Sequence, residues 1–213
     1  MRLLLIRHAE TPSNVLGALD TGFPGAGLTD LGQEQAAAIP GALNGVPIDA
    51  IHASPLVRTQ LTAAPLATDR GLDVEVVEGF EEISAGRWEM RNDLDAVHAY
   101  MKTLGSWGTG DLDAMTDGGE SGHEFFARYD DAITKVAAGG GTAVVVSHGA
   151  AIRVWAAARV TGVDLREAAA WRIDNTGMCA IEGDPDTGWN LVRWVREPLG
   201  GADLEGVQAF DIR

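Results

Sequence analysis

The stretch Leu3–Asn14, LLLIRHAETPSN, sets four apolar residues in a row, then an arginine, a histidine and a run of small polar residues. A short continuous apolar run of this kind suits a strand buried on both faces, as in a parallel sheet covered by helices. A second run near the other end of the chain, VVVSHG (Val144–Gly149), finishes in the same way. Ligands of such sheets bind outside the carboxyl ends of the strands. His8 and His148 are therefore expected at one site, although 140 residues separate them.

Between and beyond these runs, strand and helix patterns alternate. DLGQEQAAAIPGAL suits a helix starting near Thr29 or Asp30. AIHAS reads as a second strand, and Val74–Val77 as a third. SPLVRTQLTAAPLAT reads as a helix with Ser54 as N-cap and Pro55 at the first helical position, which puts Arg58 in its first turn. Thr142–His148 is the fourth strand, and the helix after it is expected to close at Gly162. Two last strands, Met178–Glu182 and Trp189–Val195, flank the turn GDPDTG. The fold class that follows is α/β, a three-layer sandwich with a mostly parallel central sheet flanked by helices. The length of 213 residues suits one domain over 1–213, with an insertion at about 83–119 that partly covers the site.

Composition narrows the chemistry. With 16 Lys+Arg against 31 Asp+Glu, the formal net charge is −15, which disfavours nucleic acid or anionic lipid as a partner. An anionic substrate has to be caught by a few converging cations, which makes Arg7 and Arg58 informative. The absence of a charged-then-apolar leader and of any long apolar run leads us to expect a cytoplasmic protein without membrane contact. The single cysteine, Cys179, cannot form an intramolecular disulfide and reads as a core residue. No CxxC, HExxH or DxD spacing argues for a metal, and no cofactor is expected.

Two histidines at strand ends beside two arginines suit a phosphoryl group, whose oxygens match guanidinium forks and helix N-terminal amides. An imidazole among cations stays neutral and can attack phosphorus. The same residues resemble a known family: RHAETPSN is similar to the RHG signature of the histidine phosphatase superfamily, which includes cofactor-dependent phosphoglycerate mutases. GLTDLGQEQA, SPLVRTQLTA, FEEISAGRWE, GGES and VVVSHG follow in the family's order, over about Leu3 to Gly149.

The resemblance implies that His8 is the nucleophile and becomes phosphohistidine. It implies that Arg7, Arg58 and His148 bind the phosphoryl oxygens, with Asn14 bonding the phosphate or supporting its loop, and Gly149 in the substrate site. Glu82 matches the acid position, protonating the leaving oxygen and then activating water, with Glu81 and Glu89 as competitors. The signature's glycine is Ala9 here, which matters only if that residue needs a positive φ. Phosphoglycerate mutases carry a tryptophan where this chain has Ser13, and basic patterns that Arg87, Arg91 and Lys102 do not reproduce. A phosphomonoester hydrolase of a small metabolite is therefore expected, ahead of a mutase or a non-catalytic phosphate-binding regulator.

His52 reads as structural, His98 as exposed, and His123 as either surface or pocket mouth. Glu120 and Ser121 are expected to cap the next helix. The six tryptophans read mainly as packing, with Trp88 and Trp107 able to reach substrate. Trp88, Met90, Tyr100, Met101 and Trp107 in the insertion suggest a substrate with an uncharged or sugar-like body. Sugar phosphates, phosphoglycerate derivatives and α-ribazole-type precursors all remain open, as does the oligomeric state.

Overall fold

A computed structural model describes residues 1–163 and 172–206. Seven strands form one sheet: β1 (Arg2–Arg7), β2 (Ala50–Ala53), β3 (Val74–Val76), β4 (Thr142–Ser147), β5 (Val160–Thr161), β6 (Met178–Asp184) and β7 (Gly188–Val195), in the spatial order β3-β2-β4-β1-β6-β7-β5. The β1–β4, β2–β4, β2–β3 and β5–β7 pairs are parallel, and β6 runs against both of its neighbours.

The four apolar residues of β1 explain its central place. Leu3 and Leu5 pack into one core layer with α4 (Leu94–Gly108), α5 (Gly122–Ala137) and α6 (Gly149–Arg159). Leu4 and Ile6 face the opposite layer, built on α2 (Asp30–Ala42) and α3 (Val57–Arg70). A strand covered on both faces has no polar side to show, hence the unbroken run. Cys179 on β6 is fully buried, and burial pushes its thiol up to about 12. Among the described residues no helix is long and apolar enough to cross a membrane.

Several elements differ from the sequence reading, most of the strands by one or two residues at an end. The third helix starts at Val57 with Leu56 as N-cap, because the backbone is still extended at Leu56 (φ −72°, ψ 137°); the Ser54 hydroxyl accepts from Leu56 N–H at 3.3 Å and faces His148 Nε2 as well. The helix after β4 stops at Arg159, where β-branched Val160 and Thr161 pair with Trp189 and Asn190 at the sheet edge. A short helix, α1 (Pro12–Leu16), begins within the opening stretch, held by a capping box between Thr11 and Asn14. Ser121 does cap α5, in a box with Glu124, whereas Glu120 pairs with Arg128.

Residues 83–119 contain a turn of 3₁₀ helix at Gly86–Trp88 and α4. The apolar face of α4 turns Ala96, Tyr100, Leu104 and Trp107 onto Phe125 and Tyr129 of α5. Tyr100 and Trp107 are thus interior, and their polar tips bond the carbonyls of Ile83 and Ala114. Both are removed from the residues able to touch substrate. Trp88 is half-buried, with Arg87 and Arg91 stacked on its ring. Trp171 lies outside the described residues.

Candidate active site

β1 and β4 lie side by side with Arg7 opposite Ser147, so the next residue of each strand, His8 and His148, emerges at the same edge. Their ring centroids are 5.3 Å apart at 60°. His8 is buried, and its Nδ1 lies 2.8 Å from the Ala9 carbonyl oxygen. A carbonyl can only accept, so Nδ1 carries the proton and Nε2 keeps its lone pair. Ala9 is fully buried and is not among the residues with positive φ, so alanine meets no backbone penalty here. Its N–H donates to Thr62 Oγ1 at 2.9 Å, which anchors the turn to α3.

His148 is fixed with equal economy. Arg58 has donors only, so its Nη2, 3.2 Å from His148 Nδ1, makes that nitrogen the acceptor. The proton then sits on Nε2 and is donated to Ser54 Oγ at 2.8 Å. Burial and the nearby Arg58 hold both imidazoles well below the ordinary histidine range. Both rings are neutral at physiological pH.

This neutrality has a measurable consequence. Below about 6.5 the unfolded chain takes up protons that the folded rings refuse, so stability falls as pH drops from there toward the folded pKa values. Each ring contributes up to about 1.4 kcal/mol per pH unit in that window and nothing above it. The urea unfolding midpoint is expected to fall clearly between pH 7.5 and pH 5.5, and to fall less when His148 is replaced by Gln. An unchanged wild-type midpoint would mean that the rings titrate in the native protein as in the unfolded chain.

Both arginines keep buried donors that no acceptor satisfies. Arg7 Nη1 bonds the Ile173 carbonyl at 2.9 Å, while its buried Nε has no partner. Burial lowers Arg7 to about 10, which leaves it charged at neutral pH. Arg58 donates through Nη2 to the Asp20 carbonyl at 2.9 Å, and its buried Nε and Nη1 lack acceptors. Asp20 Oδ1 stands 3.6 Å from Nη1, and Ser13 Oγ donates to Asp20 Oδ2 at 2.7 Å. Ser13, noted in the sequence for not being tryptophan, therefore helps hold the arginine loop.

Two glycines leave room for these guanidinium groups. Gly149, the first residue of α6, would place a Cβ 3.1 Å from Arg7 Nε. Gly25 has φ +73°, and a Cβ there would collide with Arg58 Nη1. Gly25→Ala is expected to lower kcat/KM by about 10- to 100-fold through displacement of that nitrogen, with circular dichroism unchanged. Wild-type kcat/KM in this variant would show that Arg58 can shift without cost.

The three candidate carboxylates separate cleanly. Glu81 Oε2 accepts from Gly79 N–H at 2.7 Å and lies 3.6 Å from Arg128. Glu89 is built into the loop at Thr21 and Gly22, accepting from both backbone N–H groups and from the Thr21 hydroxyl. Glu82 alone reaches α6, accepting from Ala150 N–H at 3.1 Å and Ala151 N–H at 2.8 Å, one turn from His148. Its charge is felt by Arg7, Arg58 and Arg153.

Supporting residues went unread in the sequence. Arg128 spends its guanidinium on the carbonyls of Gly79, Glu81 and Glu82 and on the Glu120 carboxylate, clamping the Glu82 segment. Asn175 donates to the His8 carbonyl at 2.9 Å and to Asn14 Oδ1 at 3.1 Å. Asn14 Oδ1 also accepts from Thr11 N–H, so the amide oxygen is committed and the amide nitrogen is the donor that remains. The one available signal was the turn-like DNTG before β6. His52 pairs with Glu75 across β2–β3, His98 is exposed, and His123 is exposed beside Asp113 at 3.6 Å. Among the described residues no group of three or more His, Cys, Asp or Glu is placed to hold a metal ion.

Fold and site together define an α/β protein with a neutral histidine facing cationic donors at the carboxyl edge of a mostly parallel sheet. The family model of the histidine phosphatase superfamily (branch 1) matches residues 3–197, and the chain belongs to that family. It is 33% identical over 228 residues to the PE-PGRS family protein PE_PGRS11 of Mycobacterium tuberculosis, covering 98% of this chain and 38% of that protein. The chain thus spans well under half the length of that relative. It is 30% identical over 183 residues to phosphoserine phosphatase 1 of Hydrogenobacter thermophilus, covering 85% and 86%. The crystal structure of the alpha-ribazole phosphatase from Shigella flexneri is similar with a TM-score of 0.73 at 28% identity, covering 93% of this chain and 97% of that one.

Proposed function

We propose that the chain is a phosphomonoester hydrolase that acts on a small phosphorylated metabolite through a phosphohistidine on His8. The observation that carries this reading is the set of buried guanidinium nitrogens, Arg7 Nε with Arg58 Nε and Nη1, that have no acceptor of their own beside a neutral imidazole. Buried donors of this kind are costly unless a ligand satisfies them, and a phosphoryl group offers three acceptor oxygens. His8 Nε2 attacks phosphorus, forming the P–N bond as the ester P–O bond breaks. Nδ1–H stays on the Ala9 carbonyl and steadies the cationic ring. Glu82 gives its proton to the leaving alkoxide, then takes one from the attacking water, and the P–N bond breaks to release inorganic phosphate. Arg7, Arg58 and His148 stabilise the charge that develops on the transferring group. Asn14 adds an amide donor, Gly149 keeps clearance beside Arg7, and residues 83–119 cover the site.

The test is phosphate release from a panel of phosphomonoesters in the presence of EDTA, with isomerisation of 3-phosphoglycerate followed in parallel. Release without isomerisation is the expected result. Isomerisation without release would make the protein a mutase, and neither reaction would leave a binding protein.

A further inference from the structure

The turn Asp174–Gly177, which leads into β6, carries costs that a purely structural turn would shed. Gly177 N–H donates to the Asp174 carbonyl at 2.8 Å, and Thr176, the third residue of the turn, has φ +58°. This is the arrangement of a type II turn, where the third residue is ordinarily glycine. A β-branched residue with positive φ is strained, and Thr176 is fully buried as well. Among the described residues the other non-glycine residue with positive φ is Met90, which is exposed. Two buried oxygens of the turn, Asn175 Oδ1 and Thr176 Oγ1, have no hydrogen-bond partner among the described residues. Strain and unpaired polar atoms each lower stability, so their concentration in one buried turn points to a task other than packing.

The contacts of the turn show that task. β1 and β6 pair as far as Ile6 and Met178, and the turn carries the ladder one residue further. Arg7 N–H donates to the Gly177 carbonyl at 3.0 Å, and the Arg7 carbonyl accepts from Thr176 N–H at 3.0 Å. Beyond the ladder, the Asn175 side chain commits both of its amide hydrogens, at 2.9 Å to the His8 carbonyl and at 3.1 Å to Asn14 Oδ1. The direction of this relay is fixed at each end by a main-chain group that has a single role. The His8 carbonyl can only accept, so the Asn175 atom facing it is nitrogen. Thr11 N–H, 3.1 Å from Asn14, can only donate, so the Asn14 atom facing it is oxygen. Asn175 joins the two ends and leaves Asn14 only its amide nitrogen for other partners.

We propose that Asn175 is a positioning residue of the phosphoryl site, which pins the backbone of the nucleophile and keeps the donor end of the Asn14 amide toward the transferring group. This rests on the phosphomonoesterase reading. Neither action requires contact with substrate. An Asn14 amide turned end for end would present an acceptor to the phosphoryl oxygens and repel them. A His8 backbone released at its carbonyl would let the ring leave the line of attack on phosphorus. The left-handed backbone at Thr176 serves the same end, since it lets one short turn meet Arg7 through its main chain and His8 through Asn175.

The test is Asn175→Leu, which keeps the branched skeleton and removes both donors. The His8 carbonyl retains Thr176 N–H at 3.4 Å and Asn14 Oδ1 retains Thr11 N–H, so neither is left unpaired, and the orphaned Asn175 Oδ1 is gone. The urea unfolding midpoint is therefore expected to stay at or above wild type. With p-nitrophenyl phosphate, KM is expected to rise and kcat to fall, each by about 10-fold, and the calorimetric Kd of inorganic phosphate to rise with KM. In an Asn14→Ala background the same substitution should still lower kcat but leave KM unchanged, because the amide it orients is absent. Wild-type kcat in a folded Asn175→Leu protein would overturn the proposal, and so would a rise of KM that is absent, or as large without Asn14 as with it. A lowered midpoint with wild-type kinetics is the mark of a merely structural residue. If Asn175→Leu does not fold, Asn175→Ser, which is too short to reach either acceptor, carries the same comparison. If the wild-type protein hydrolyses no ester, the hydrolase reading fails on its own. The phosphate Kd values then decide, and an equal ratio in both backgrounds, or no phosphate binding by the wild-type protein, would overturn the positioning role as well.

Discussion

Replacing His8 by alanine is expected to lower kcat for every phosphomonoester by about four orders of magnitude or more. The size follows from the division of labour in the site. Arg7, Arg58 and His148 can bind and polarise the phosphoryl group, but none of them presents a free lone pair to phosphorus. The guanidinium groups have none to give. In His148, Nδ1 accepts from Arg58 and Nε2 is held by Ser54, which leaves no nitrogen for attack. Removing a group that only stabilises charge, as in His148→Ala, is expected to cost less, about 10²- to 10³-fold. The fold should survive His8→Ala, since Asn175 bonds the His8 backbone carbonyl rather than its ring. The checks are kcat with EDTA present, and a search for protein-bound phosphate that withstands alkali and is lost in acid, as a phosphoramidate does. Residual activity above about 1% in a folded variant would remove His8 as nucleophile.

What the sequence disclosed and what it hid divide along physical lines. His8 and His148 were legible because each ends an apolar run, and two parallel strands paired in register must deliver their next residues to one edge. Arg58 was legible because it follows a proline-bearing helix start, even though that start lies at Val57 rather than Pro55. Ser54 misled for a simple reason: its hydroxyl accepts from Leu56 N–H as a cap would and from His148 Nε2 too, yet the chain stays extended through Leu56 and the helix begins only after it. Arg128 and Asn175 were illegible because they act through backbone carbonyls of segments distant in sequence, and no spacing rule records such a contact. Tyr100 and Trp107 show the opposite error. They occupy helical positions facing α5, so their period belongs to core packing, although their chemistry invited a role at the substrate.

Glu82→Gln is the second large effect, and its signature is a change in leaving-group dependence. Glutamine keeps one oxygen, enough to accept from Ala151 and Ile83 N–H as Oε1 does now, and gives up only the longer bond from Ala150, so circular dichroism and the unfolding midpoint should stay close to wild type. What it loses is the proton. For an alkyl phosphate, whose alkoxide is a poor leaving group, kcat/KM is expected to fall by about 10²- to 10⁴-fold. For p-nitrophenyl phosphate the first step needs little protonation, so kcat/KM should fall much less, while kcat drops because water is no longer activated against the phosphoenzyme. A rapid burst of p-nitrophenol, equal to the enzyme present and followed by slow turnover, is the expected trace. Equal loss of kcat/KM on both esters without a burst would place the acid elsewhere, yet Glu81 and Glu89 are poorly set to replace it. Glu81 is held by Gly79 and Arg128, and Glu89 by Thr21 and Gly22. Neither accepts from α6, whereas Glu82, held by the Ala150 and Ala151 amides, stands at the start of that helix and is the one of the three whose charge acts on both Arg7 and Arg58.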